Sequence, residues 1–147
     1  MKSFSLLLTS ASLTALLPSF AADLKWQTQQ LTDEFHAEGA AVGDFNKDGS
    51  KDIAYGPWWF AGPGLKDPHQ IYPAAKFEPR GYSKNFLTYA PDLNADGWDD
   101  VLVLGFPGDE SYWFENPKAG SGDWKKHSIL KVTDNESPTW KIGRAHV

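Results

Sequence analysis

One Asp-rich string of nine residues occurs twice in this chain and constrains the fold more than any other feature. The first copy begins at Asp44 and the second at Asp92, 48 residues later, and both fit the template D-x-N-x-D-G-x-x-D followed by a β-branched residue. Each copy runs directly into a short apolar stretch and a Gly/Pro turn. The repetition indicates two copies of one unit, each made of a loop, an apolar strand, a turn and an aromatic strand.

Each loop carries the oxygen ligands that a hard cation prefers. Ca²⁺ takes about six to eight oxygen ligands, and a short Asp/Asn loop with a glycine allows the backbone to wrap around it. Gly49 and Gly97 fill the sharp-turn position, where a Cβ would be strained. The predicted calcium ligands are Asp44, Asn46, Asp48, Asp52 and the carbonyl of Ser50 in the first loop, and Asp92, Asn94, Asp96, Asp100 and the carbonyl of Trp98 in the second.

Other interpretations of the loops are less favoured. Magnesium prefers fewer carboxylates and retained water, and zinc would need Cys or His ligands. An EF-hand places a bidentate Glu at its twelfth position, where this chain has Tyr55 and Val103. The alternative without metal is a pair of Asx-rich hairpin turns whose carboxylates bind backbone N–H groups. Because three carboxylates within nine residues repel one another without a cation, the sequence predicts two structural Ca²⁺ sites.

Composition and local pattern favour an all-β fold. Aromatic residues make up 14% of the chain, beside 13 glycines and 10 prolines, which suits short strands joined by tight turns. Residues 99–105 form a run of β-branched residues and leucine without helical periodicity, as a buried strand would. We therefore expect strands, not helices, around both loops.

The loops and their flanks resemble a known family. The string D-x-N-x-D-G-x-x-D-[I/V] followed by Gly and Pro is similar to the calcium-binding FG-GAP/VCBS repeat of integrin-α-type β-propellers and many secreted bacterial proteins. Residues 113–117 (WFENP) and 123–129 (DWKKHSI) are similar to the inter-repeat segment of the bacterial members. The resemblance covers roughly residues 35–140. It implies β-propeller blades of four antiparallel strands, with the calcium loop joining two strands at the rim.

The same resemblance predicts an incomplete propeller in residues 22–141. Repeats are expected near 35–82 and 83–131, and a third would have its first aspartate near position 142. A propeller typically needs about four to eight blades to close, so we expect about two and a half blades of a truncated propeller. Residues 142–147, IGRAHV, can be encoded by a common sequencing-adapter read, and we expect them to be a non-native tail.

The N-terminus has the features of an export signal. Lys2 supplies a positive charge, residues 4–17 form a short apolar run, and residues 19–21 offer a cleavage site with small residues. The run is shorter than the roughly 20 apolar residues of a spanning helix. We therefore expect a cleaved signal peptide at 1–21, a secreted or periplasmic protein, and no membrane span after cleavage. The chain has no cysteine, so an exported domain must be stabilised by something other than disulfides, and a bound metal is one candidate.

Charge and motif content limit the function classes. Without Lys2 the chain has 13 basic and 19 acidic residues, a net charge of 13 − 19 = −6, which disfavours a nucleic-acid partner. His36, His69 and His127 are scattered without a catalytic or ligand spacing, and no catalytic residue is predicted. A set of strand aromatics is expected to pack in the interior, with a carbohydrate-stacking platform as the alternative: Trp58, Trp59, Phe60, Tyr112, Trp113 and Phe114.

The function expected from sequence is that of a secreted calcium-binding propeller whose parent protein acts as a binding or scaffold module. Its partner would be an extracellular protein or a polysaccharide. The alternative is the N-terminal part of a propeller-type enzyme that acts on a polysaccharide or sugar, with its catalytic residues in blades that this sequence does not include.

Overall fold

The computed structural model describes residues 25–118 and 124–137, and every regular element in these ranges is a β-strand. The all-β prediction is therefore confirmed for this part of the chain. The predicted signal peptide at 1–21, the last residues of the predicted propeller segment at 138–141 and the predicted tail at 142–147 lie outside the described residues. The described ranges include no helix of the length and apolar character that crossing a membrane requires.

The strands form two four-stranded antiparallel sheets, each assembled in chain order. The first sheet contains β1 (Ala40–Gly43), β2 (Asp52–Tyr55), β3 (Trp58–Phe60) and β4 (Pro68–Gln70). The second contains β5 (Leu87–Tyr89), β6 (Val101–Leu104), β7 (Ser111–Glu115) and β8 (Lys125–Leu130). The two sheets do not close into a ring within the described residues. Each Asp-rich loop joins the first two strands of its sheet, so the two loops have equivalent positions.

The turn after each apolar strand follows from its glycines. Tyr55 pairs with Trp58, so Gly56 and Pro57 form a two-residue hairpin turn between β2 and β3. Gly56 has a φ of 56°, a conformation that glycine adopts at little cost. The corresponding connection between β6 and β7 is longer and contains Gly108 with a φ of 99°. The two units therefore differ in length at this turn.

A hydrophobic core joins the two sheets. Phe45, in the first Asp-rich loop, is 1% exposed, and its ring lies 6.0 Å from that of Trp59 and 5.8 Å from that of Trp124. Other members of the core come from both sheets and their flanks: Ala54, Ile71, Val101, Val103 and Phe114. Burying these side chains together is the dominant favourable term for a small domain without disulfides.

The first strands of the two sheets lie side by side. β1 packs against β5, and Gly39, just before β1, lies so close to β5 that a Cβ there would meet the backbone nitrogen of Thr88 at 2.6 Å. The N–H of Glu38 also donates to the carbonyl of Asn85 at 3.1 Å. These contacts place the two Asp-rich loops at the same end of the molecule.

Candidate metal sites in the two Asp-rich loops

The first loop, residues 44–52, is held by hydrogen bonds between its own side chains and backbone. Asp44 accepts the N–H of Asp48 at Oδ1 (3.1 Å) and the N–H of Gly49 at Oδ2 (3.1 Å). Asp48 accepts the N–H of Ser50 at Oδ1 (2.7 Å), and its own N–H donates to Oδ1 of Asn46 (3.0 Å). These Asx turns wrap the backbone around the side-chain oxygens.

The second loop, residues 92–100, repeats this network. Asp92 accepts the N–H of Asp96 (3.1 Å) and of Gly97 (2.8 Å), and Asp96 accepts the N–H of Trp98 (2.9 Å). The N–H of Asp96 also donates to Oδ1 of Asn94 at 3.1 Å.

Backbone angles are also matched between the loops. Lys47 and Ala95 have a φ of 59°, and Gly49 and Gly97 have φ values of 84° and 87°. Two sequences that differ at the unconstrained positions of the template thus adopt one local conformation.

The acid that closes the first loop is fully buried. Asp52 is 0% exposed, and its oxygens accept the N–H groups of Phe45 (2.7 Å) and Gly62 (2.8 Å). Each oxygen therefore uses one lone pair on a backbone donor, and a carboxylate has about four lone-pair sites in all. Asp52 therefore retains lone pairs that can coordinate a cation.

Asp100 closes the second loop in the same way. It is 0% exposed and accepts the N–H groups of Leu93 and Asn116, both at 2.9 Å. Burial raises the pKa of Asp100 above its ordinary value, the two backbone hydrogen bonds oppose that shift, and the nearby charges of Asp96 and Asp92 add to it. The second loop therefore concentrates negative charge around a carboxylate that has lost its water.

The fifth-position acids are more exposed and better solvated. Hydrogen bonds from the Ser50 backbone and the Asn46 side chain lower the pKa of Asp48. For Asp96, burial raises the pKa, but the hydrogen bonds from Trp98, Asn94 and Lys118 together lower it. The ammonium of Lys118 lies 3.2 Å from Oδ2 of Asp96. This lysine partly neutralises the second loop.

The donor chemistry of both loops fits Ca²⁺. The sequence of each loop supplies three candidate carboxylates, one amide oxygen and one backbone carbonyl, all hard oxygen ligands on a wrapped backbone. Among the described residues, no group of three or more His, Cys, Asp or Glu side chains forms a metal site by itself. A Ca²⁺ site in either loop would use the amide and carbonyl oxygens as well as the carboxylates.

Sequence inspection missed a repeated pair of aromatic contacts between neighbouring strands. Trp59 of β3 stacks on His69 of β4 with ring centroids 4.1 Å apart, and Trp113 of β7 stacks on His127 of β8 at 4.3 Å. Both pairs are direct cross-strand partners. The separations along the chain differ, so only the strand register reveals that the two histidines have equivalent positions.

His36, the third histidine of the described residues, and the strand aromatics have structural contacts. His36 is buried, and its Nδ1 lies 2.7 Å from the carbonyl oxygen of Ala75. Phe60 and Phe114 are buried, as expected for interior packing, whereas four members of the aromatic set are half-buried: Trp58, Trp59, Tyr112 and Trp113. The structure thus shows packing for part of the set.

A cavity of about 150 Å³ lies between the two halves of the molecule. Tyr72 and Tyr112 line it, and the ring of Tyr72 stacks on that of Phe114 at 4.5 Å. Burial raises the pKa of Tyr72 to about 12, and burial together with nearby Tyr72 raises the pKa of Tyr112. Both phenols are therefore neutral at physiological pH.

Comparison with known proteins identified no relative of this chain. No protein-family model, curated protein or solved structure matched it. The resemblance to the FG-GAP/VCBS repeat thus depends on the motif residues themselves, and the function must be argued from the geometry of the two loops.

Proposed function

We propose that this protein is an exported calcium-binding β-propeller module of the binding or scaffold type, in which each Asp-rich loop holds one structural Ca²⁺. The observation that carries the proposal is the burial of Asp52 and Asp100 at the base of two acidic loops. No cationic side chain of the described residues forms an ion pair with either carboxylate. Buried charges in proteins are normally paired or bound to a metal, and here a bound cation would serve that purpose.

The balance of charge in each loop favours a divalent ion over the arrangement without metal. Backbone N–H groups satisfy one lone pair on each oxygen of Asp52, but they do not cancel its negative charge. In the second loop, Lys118 supplies one positive charge against the three carboxylates of the candidate ligands. A Ca²⁺ ion would offset the repulsion in both loops and fill the remaining acceptor sites.

The order of the strands supports the propeller. Each sheet is a four-stranded antiparallel meander, and the first strands of the two sheets lie next to each other. Blades of a propeller are four-stranded sheets arranged around a central channel, so neighbouring blades approach in this way. The matched positions of the two loops fit one calcium site per blade.

Calcium in these loops would act on stability, since no substrate chemistry is assigned to it. Neutralising the carboxylates would fix the hairpin between the first two strands of each sheet and couple ion binding to folding. The rigid surface would then present a binding site to an extracellular protein or a polysaccharide.

Isothermal titration of the chelator-treated protein with Ca²⁺ tests the proposal. We expect two ions per chain in the wild-type protein and one in Asp96→Asn, because the variant removes a carboxylate from the second loop only. Asp67→Asn, which removes an exposed acid outside both loops, should still bind two. Absence of binding in the wild-type protein would show that the loops are metal-free turns, and two ions in Asp96→Asn would refute the assignment of one ion to the second loop through Asp96.

A further inference from the structure

The two Asp-rich loops are in direct contact through a residue that the ligand template leaves unspecified. Asp99, at the eighth position of the second loop, accepts the N–H of Asp44 at its Oδ2, with a distance of 2.8 Å. Asp44 is the first candidate ligand of the first loop. A side chain of one loop therefore fixes the backbone that carries a ligand of the other.

Asn116 makes a second bridge between the loops. Its side-chain nitrogen donates to the carbonyl of Phe45 in the first loop and to the carbonyl of Asp99 in the second, both at 2.9 Å. Its backbone N–H donates to Oδ1 of Asp100. Asn116 is only 2% exposed, so these bonds are shielded from water.

These bonds form a continuous route between the acids that close the two loops. Asp100 accepts the backbone N–H of Asn116, the Asn116 side chain donates to the Phe45 carbonyl, and the Phe45 N–H donates to Asp52. The route has no gap and includes one candidate ligand from each loop. The route is thus a physical connection between the two carboxylates.

This hydrogen-bond route depends on residues that differ between the two repeated units. The position equivalent to Asn116 in the first unit is Gly62, which donates its N–H to Asp52 but has no side chain. A Cβ at Gly62 would collide with the carbonyl oxygen of Lys51, the residue equivalent to Asp99. The side-chain bridge thus comes from the second unit and reaches into the first.

We propose that Asp99 and Asn116 are positioning residues that couple the two loops, so that Ca²⁺ in the second loop raises the affinity of the first for Ca²⁺. This inference rests on the calcium binding proposed above. An ion bound by Asp100 fixes that carboxylate and, through Asn116 and Asp99, orders the backbone of Asp44 and Phe45. The first loop then binds its own ion with less ordering to complete.

Calorimetric titration of the full chain with Ca²⁺ tests the coupling. We compare the affinity of the first loop in the wild-type protein with its affinity in Asp96→Asn, in which the second loop is disabled. Coupling predicts about fivefold weaker binding or more in Asp96→Asn, within the usual range for linked sites. Equal affinities would overturn the coupling while leaving the calcium sites in place, whereas an absence of any Ca²⁺ binding would overturn both proposals.

Two further variants assign the coupling to named residues. Asn116→Ala removes the bridging amide but keeps the backbone bond to Asp100. We expect this variant to bind two ions, and we expect that adding Asp96→Asn to it no longer weakens the Ca²⁺ affinity of the first loop about fivefold. Asp99→Ala should act in the same way and should also speed hydrogen exchange of the Asp44 amide, whereas Asp99→Asn keeps an acceptor oxygen and should retain the slow exchange. Lys51→Ala, at the matching exposed position of the first loop, should leave the coupling unchanged.

The Asp99 variants keep the test decisive if Asn116→Ala does not fold, because Asp99 is only half-buried. Wild-type coupling in a folded Asn116→Ala or Asp99→Ala protein would overturn the assignment of these residues. So would unchanged exchange of the Asp44 amide in Asp99→Ala.

Discussion

Replacing Asp52 with asparagine tests whether its carboxylate binds calcium or serves only as an acceptor for backbone N–H groups. The asparagine has nearly the same size and keeps one oxygen, so one of the N–H groups of Phe45 and Gly62 stays bonded. The other N–H loses its acceptor inside the protein. Leaving one buried donor unpaired costs about 1–3 kcal/mol, and this cost applies whether or not calcium is present.

In the presence of calcium, Asp52→Asn should lose a further, separable part of the unfolding free energy. If the first loop binds with a dissociation constant near 10⁻⁴ M, typical of extracellular modules, then about 10 mM Ca²⁺ stabilises the folded state by about 2.7 kcal/mol through that site. Asp52→Asn removes the site, so the total loss should be about 4–6 kcal/mol in calcium and about 1–3 kcal/mol in chelator. Urea unfolding followed by fluorescence of the seven tryptophans measures both values.

The comparison between calcium and chelator decides whether Asp52 is a calcium ligand. Ser111→Ala is the matched control, because Ser111 is also 0% exposed and accepts a backbone N–H, from Gly105, but lies outside both loops. Its cost should be the same in chelator and in calcium. If Asp52→Asn also lost the same unfolding free energy in chelator and in calcium, its carboxylate would serve only as an acceptor for backbone N–H groups. The reasoning for the first calcium site would then be refuted.

Two other predictions concern the interior. Because the pKa of Tyr72 is about 12 in the folded protein and about 10 in the unfolded chain, its contribution is present below pH 10 and is lost as the pH rises toward 12. Unfolding free energy should therefore fall between pH 9 and pH 11 by about 1.4 kcal/mol more in the wild-type protein than in Tyr72→Phe, and equal falls would contradict the burial of this phenol. Phe45→Ala should cost about 3–5 kcal/mol in urea unfolding, because the ring fills the space between Trp59 and Trp124. The half-buried Phe86, changed to Ala, should cost clearly less, and a similar cost for both would count against Phe45 as a core residue.

Much of the local structure could be predicted from the sequence because it depends on short-range chemistry. The Asx turns connect Asp44 and Asp48 to N–H groups no more than five residues away, so the spacing of the template determines them. The strands after the loops follow from uninterrupted apolar residues. The calcium sites and the propeller remain predictions from this same local pattern.

The contacts that join the two units could not be predicted in this way. Asp99 and Lys51 occupy a position that the template leaves open, and nothing in either nine-residue string indicates that Asp99 meets Asp44, 55 residues earlier. Asn116 is 71 residues from Phe45 and appears in the sequence only as part of a turn before proline. The stacks of tryptophan on histidine could not be predicted either, because only the strand register shows which residues are partners.

The sequence by itself determined two acidic loops, the strands around them and the turns between them, since hydrogen bonds within a few residues and the alternation of side chains decide these features. Only the tertiary structure decided that the loops lie against each other. That contact arises when β1 packs beside β5 and a shared core closes around Phe45. The packing of whole sheets, not local spacing, brings Asp99 and Asn116 to the first loop.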